Sequence, residues 1–271
     1  MLRSVANSPG LVISGLVVLL VLGWAFAPSL FAAQDPLAIN LTERLRPPGG
    51  EHVFGTDQLG RDMYSRIVYG ASLSMRTTIL SVVLATACGA VVGAVAGFVG
   101  GFLDRVLMRL VDVLLAVPSM LLSLGVVTVL GFGGTNIAIA VGVAMVVRLA
   151  RVMRAEVLRV CGSTYVEAAW VSGMRMPGVL ARHVVPNAAG PVLVLAVLEF
   201  GAVMLQISAL SFLGFGAPPP TPEWGSLVAD GRDYLISGWW LSALPGLTIA
   251  AVVLSVNRTA QALERTRGTS G

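Results

Sequence analysis

Few side chains in this sequence could do chemistry, and most of them fall in one polar stretch, Arg148 to Asn187, flanked by apolar runs. Its middle reads Glu167-Ala168-Ala169-Trp170-Val171-Ser172-Gly173, and its end reads His183-Val184-Val185-Pro186-Asn187. The chemistry these residues offer is contact rather than bond-making. Glu167 can make charge-assisted hydrogen bonds. Ala168 and Ala169 let another surface approach closely, and Gly173 can end a short helix in the left-handed conformation at low cost. A second arm, Arg175 to Val185, is expected to resume as a helix before Pro186. Two short helices joined at a glycine make a knob that a cleft can grip. On charge alone, the same stretch reads equally as a basic helix lying on anionic lipid.

Several chemistries are excluded. All 18 basic residues are Arg and none is Lys. A Walker A loop needs a Lys to reach the β/γ-phosphates, so the chain carries none. Schiff-base catalysis falls for the same reason. Cys88 and Cys161 sit in different contexts and predict no disulfide, while His52 and His183 have no Cys or His neighbour in sequence, so no metal site and no catalytic residue are expected. Glu199 is the exception that needs a role, being a carboxylate deep in an apolar run. It reads either as a pore-facing carboxylate, or as a protonated or paired Glu at a contact with another subunit.

The elements that position these residues follow from composition. The 271 residues are 56% hydrophobic and 12% charged, with a mean hydropathy of +0.84, where a soluble domain is about 25% charged. Lipid accepts only helices or closed barrels, and the long apolar runs lack the alternation of barrel strands. The expectation is an all-α polytopic membrane protein with six transmembrane helices, at about 11–33, 76–101, 107–130, 134–154, 188–212 and 239–257. A cleaved signal peptide is the rival for the first run, which is long for that role. Gly89, Gly93, Gly97 and Gly101 recur every four residues and predict close helix packing. Pro118 predicts a kink. The fourth run is short, so it should continue past Arg148, with Arg148 and Arg151 snorkelling to the headgroups.

Residues 34–75 are polar. Asp57/Arg61 and Asp62/Arg66 have the favourable i,i+4 order, with Leu59, Met63 and Ile67 on one face. The expectation is an amphipathic helix on the outer membrane surface, or else a docking face for an external protein formed by Asp57, Arg61, Asp62, Arg66 and Trp224. Trp224, Trp239 and Trp240 fit an interfacial aromatic belt. With the amino terminus inside, twelve Arg fall on inner segments, from Arg3 to Arg267, and six on outer ones. The positive-inside rule then places both termini and the 148–187 stretch in the cytoplasm.

Glu-Ala-Ala, the Gly four residues on and Pro186 thirteen after it resemble the EAA loop of bacterial ABC-importer permeases. Phe54-Gly55-Thr56-Asp57 with Gly60-Arg61-Asp62, Ser65-Arg66 and Tyr69-Gly70 resembles the amino-terminal signature of the C-type permeases of dipeptide/oligopeptide/nickel importers. Leu210-Ser211-Phe212-Leu213-Gly214-Phe215-Gly216 and the following Pro-rich Glu223-Trp224-Gly225 loop resemble their fifth-span exit. The likeness departs after Asn257, where a Gly-Asp-x-Leu-Arg-Asp run is usual and Arg258-Thr259-Ala260-Gln261 stands instead.

The resemblance implies a type I ABC-importer permease (MetI-like) fold in the bacterial cytoplasmic (inner) membrane. It divides the chain into 1–71 (first helix and periplasmic segment), 72–261 (transmembrane domain) and 262–271 (cytoplasmic tail). It implies a B-type permease partner, two ATPase subunits that bind ATP and Mg, and an extracytoplasmic substrate-binding protein. This chain would bind no cofactor, hydrolyse nothing and meet no nucleic acid. Its ATPase-coupling residues would be Glu167, Ala168, Ala169, Gly173, His183, Pro186 and Asn187. Peptide is the expected cargo, with nickel or another small solute behind it. The rivals are an ion-driven secondary transporter, which calls for repeated halves and several buried charges, and an intramembrane enzyme.

Overall fold

The computed structural model describes residues 9–268, with side chains to Ala262; Arg3 and the side chains of Arg265 and Arg267 lie outside the described residues. The helices are α1 (Pro9–Phe26), α2 (Met63–Val99), α3 (Gly101–Leu115), α4 (Ser119–Leu130), α5 (Gly134–Cys161), α6 (Thr164–Val171), α7 (Met176–Phe215), α8 (Trp224–Gly231) and α9 (Trp240–Gly268). Five of them are long and apolar enough to cross a membrane, and α3 with α4 makes a sixth as a pair bent by 98°. The fold is therefore all-helical and multi-pass.

The bend is sharper than a kink. Pro118 has no N–H and forces Val117 out of the helical region, so α3 stops and α4 starts afresh. Upstream, Gly100 and Gly101 have φ of +67° and +62°, a conformation that suits glycine. They separate α2 from α3 and take Gly101 out of the predicted four-glycine stripe. The first helix ends at Phe26, seven residues before its expected limit, because Ala27-Pro28 starts a 3₁₀ turn.

The chain forms two compact units. One comprises Ser81–Val126 and Ile139–Glu199. Its core joins Val111, Val147 and Ala150, with Val92, Met108 and Leu115 packed around them. Here α2 and α5 touch backbone to backbone. A Cβ on Gly93 would lie 2.3 Å from the Ala150 carbonyl oxygen, and one on Gly89 would lie 2.7 Å from the Leu149 Cβ. The glycine stripe is thus a packing seam, as small residues in membrane helices commonly are.

The other unit comprises the residues to Leu80, Val127–Ala138 and those from Phe200 onward. Its core gathers Trp24, Met63, Ile67, Ala71, Met204, Trp224, Leu227, Trp240 and Leu241. Met63 and Ile67 are buried here, so the amphipathic surface helix expected from residue 57 is absent. Gly55 and Gly60 (φ +73° and +74°) turn the chain back on itself, and Thr56 pairs with Asp62 in an antiparallel bridge. The Asp57 carboxylate accepts from the Leu59 and Arg61 N–H groups and from Arg61 Nε at 2.8, 3.0 and 2.6 Å. An i,i+4 acid–base pair closes a turn here, not a helix. Asp62 does not pair with Arg66. It caps α2 by accepting from the Ser65 N–H at 2.7 Å, and its other oxygen meets His52 Nδ1 at 2.9 Å.

Asp57, Arg61, Asp62, Arg66 and Trp224 are all buried, so they form no exposed docking face. Trp224 donates its indole N–H to the Ile67 carbonyl at 2.8 Å and its backbone N–H to Ser74 Oγ at 3.1 Å. Beside it, Glu223 caps α8 through the Gly225 and Ser226 N–H groups, and burial raises its carboxyl pKa above the usual range despite those bonds. Of the three tryptophans assigned to an interfacial belt, only Trp239 is exposed, while Trp240 donates to the Thr56 carbonyl at 3.1 Å.

Candidate functional site

The short helix α6 has a well-defined stop. Gly173 adopts φ +77°. Its N–H donates to the Trp170 carbonyl at 3.0 Å, and the Met174 N–H donates to the Ala169 carbonyl at 3.2 Å. These two bonds make a Schellman motif, the left-handed stop expected of Gly173. Val166 and Ala169 are buried, and Trp170 stacks on Phe98 with centroids 6.3 Å apart. The Glu-Ala-Ala run therefore splits. Ala169 packs inward, while Glu167 and Ala168 are exposed next to Val171, which is 90% exposed. Among the described residues Glu167 has no ion-pair partner, so its charge faces outward.

The second arm differs from the expectation. Pro186 does not stop it; α7 runs through Pro186 and Pro191 to Phe215. The residues Leu180–Val184 form a π-turn in which the Val185 N–H donates to the Leu180 carbonyl. A widened turn just upstream accommodates a residue without an N–H. The Asn187 side-chain amide donates to the His183 carbonyl at 2.6 Å. His183, Pro186 and Asn187 thus lie on the first turns of a continuous span, not on a separate helix.

Helix α5 continues past Arg148, as its length required. Its arginines are ion-paired. Arg148, Arg151 and Arg154 each reach an acid on another helix. Arg148 Nη1 donates to Glu199 Oε1 of α7 at 2.8 Å. Arg151 pairs with Asp112 of α3. Arg154 grips both carboxylate oxygens of Asp104 at 2.5 and 2.6 Å, the strong bidentate form. A carboxylate beside the guanidinium neutralises it in place, which removes the drive to reach the headgroups. Glu199 is therefore paired within its own chain, with the pair partly open: the Arg148 side chain is 46% exposed and that of Glu199 19%. Sequence reading missed these partners. The available signal was three arginines at i, i+3, i+6 and three acids in other apolar or amphipathic segments.

This architecture can be compared with known proteins. Residues 89–268 match the family model described as binding-protein-dependent transport system inner membrane component. The dipeptide transport system permease protein DppC of Escherichia coli is 41% identical over 257 residues, covering 93% of this chain and 86% of the relative. The di/tripeptide transport system permease protein DppC of Pseudomonas aeruginosa is 38% identical over 261 residues (94% and 86%). A putative peptide transport system permease protein of Brucella suis is 39% identical over 245 residues (90% and 82%). Among solved structures, the fold resembles a chain of an amino acid ABC transporter (TM-score 0.58, 15% identity, covering 75% of this chain and 94% of that one). It also resembles a chain of the inward-facing MetNI methionine ABC transporter (TM-score 0.56, 16% identity, 74% and 96%). The chain belongs to the binding-protein-dependent transport system inner membrane components, as a DppC-like permease subunit of the ABC transporters.

Proposed function

We propose that this permease passes short peptides inward across the cytoplasmic membrane, driven by ATP that separate ATPase subunits bind and hydrolyse. The observation that carries the coupling role is α6: a short helix with a Schellman stop, joining spans α5 and α7, with Glu167, Ala168 and Val171 turned outward. Such a helix moves as a rigid body. A groove in an ATPase that shifts on ATP binding would carry α6, and with it the adjoining ends of α5 and α7. This is a two-state switch biased by differential contacts. Glu167 supplies a charge-assisted hydrogen bond to that groove, while Ala168 and Val171 fill it. His183, Pro186 and Asn187 brace the first turns of α7. The missing lysine supports the division of labour, since another chain must hold ATP and Mg.

In this reading the 162–187 segment and both termini are cytoplasmic, as the arginine bias favours. A B-type permease completes the pore, two ATPases dock inside, and a substrate-binding protein delivers cargo from outside. Peptide cargo is supported by the relatives at 38–41% identity, which are named as peptide transport permeases. Family membership favours this mechanism over an ion-driven carrier.

The test is co-purification followed by uptake. A tagged chain extracted in mild detergent should bring an ATPase pair and a second permease, and cells should import labelled dipeptide. Glu167→Arg should abolish import and release the ATPases while the permease pair persists. A chain that purifies alone and transports in liposomes without ATP overturns the proposal.

A further inference from the structure

A cavity of about 350 Å³ opens in the unit that holds α8, within the 300–1,000 Å³ range of small-molecule sites. Arg61, Arg66 and Asp230 supply its charged lining, Phe132 an apolar wall, and Ala229 a small residue on one side. Phe132 is held by stacking on Phe215 at 5.8 Å. Both arginines are buried, at 6% and 3% exposure. Each guanidinium carries five N–H donors, and few of them are used. Arg61 donates through Nε to Asp57 at 2.6 Å. Arg66 has one long bond, from Nη1 to the Pro36 carbonyl at 3.4 Å. Its Nε lies 3.5 Å from Asp57 without a hydrogen bond, and its Nη2 lies 4.0 Å from Asp230. Buried polar groups are normally hydrogen-bonded, so the poorly satisfied guanidinium of Arg66, on the same cavity wall as that of Arg61, calls for an oxygen acceptor.

The charge balance narrows the ligand. Two guanidinium charges face Asp57, already engaged, and Asp230, half exposed at the cavity edge. The two charges of each sign leave the lining close to neutral, which penalises a phosphate dianion more than a monoanion held mainly by hydrogen bonds. A planar carboxylate matches the fork geometry of arginine, and the apolar wall takes a small side chain. We propose that this cavity binds the carboxylate end of a short peptide or amino acid, held by Arg61 and Arg66, with Asp230 at the cavity edge. The cavity would thus be a waiting site for cargo on the permease itself. The identity of the ligand as cargo rests on the peptide-import reading; the carboxylate chemistry does not.

The test uses the full chain in lipid nanodiscs, without binding protein, and ligand-observed saturation-transfer NMR. The probes are N-acetylglycine and its uncharged amide, N-acetylglycinamide. The expected result is saturable binding of the acid, at least about fivefold tighter than the amide. Ala229→Phe fills the cavity and should abolish it. Asp230→Asn changes a half-exposed side chain and should fold regardless; removing the nearby negative charge should tighten binding about threefold. Equal binding of acid and amide, or binding untouched by both variants, overturns the proposal. Dipeptide uptake by the wild-type chain is measured in parallel. Uptake without carboxylate binding leaves the import reading standing and removes the cavity site; carboxylate binding without uptake does the reverse.

Discussion

Arg148 of α5 and Glu199 of α7 meet at 2.8 Å, 51 residues apart in sequence. The pair joins the two long helices that flank α6 in the chain, well away from α6 along both of them. It also explains how one carboxylate survives in an apolar span: a charge in that setting needs a partner, and here the partner is in the same chain.

Breaking the pair should loosen the contact of α5 with α7. Arg148→Ala or Glu199→Ala leaves one charge uncompensated, at a cost of about 1–2 kcal/mol, between the values for exposed and fully buried pairs. Uptake should fall by roughly tenfold, with Glu199→Gln milder. The exchange Arg148→Glu with Glu199→Arg should recover a large part of it. No recovery in the double variant would mean that one of the two groups acts independently of the other.

Gly173 is held at φ +77°, and a Cβ there would meet nothing within 4 Å. Its role is conformational, so Gly173→Val should cost roughly 1–2 kcal/mol of local stability and uncouple ATP hydrolysis from uptake. Gly173→Asn should be tolerated, because Asn enters the left-handed region. Equal defects in both variants would point to a contact at Gly173 instead.

The packing seam predicts a contrast among glycines. Gly93→Ala puts a methyl 2.3 Å from the Ala150 carbonyl oxygen, forcing α2 from α5 at about 1–3 kcal/mol. Gly125→Ala and Gly190→Ala enter open space and should be near neutral. Detergent-solubilised unfolding midpoints report the difference directly.

His52 should make the segment between α1 and α2 pH-sensitive. Burial alone would lower its pKa, but the neighbouring carboxylates of Asp62 and Glu43 outweigh it and raise the value above 6.5. A folded-state value raised above the unfolded one means the stabilisation is fully present below about pH 6.5. It is lost as pH rises through the folded value. The unfolding midpoint of the wild type should therefore decline between pH 6 and 8 more than that of His52→Gln. Parallel curves for the two proteins would remove His52 from the account.

Sequence alone determined the membrane class, the six apolar segments, the lack of a Walker A lysine and the short helix stopped at Gly173. Those features are local: they depend on hydropathy over a span, on one residue type, or on hydrogen bonds reaching five residues at most. The i,i+4 pairs at residues 57–66 show where local reading ended, because the same spacing serves a helix face or a glycine turn. Only the folded chain showed which one residues 57–62 adopt, by burying Met63 and Ile67 against Trp224 and Trp240. Pro186 shows the same limit, since a π-turn can accommodate a residue that normally ends a helix. The ion pairs of Arg148, Arg151 and Arg154 are the clearest case of tertiary choice. Each joins helices 39 to 51 residues apart, and the charge of an arginine shows that it needs an acid without showing which acid the packing of the helices will bring within reach.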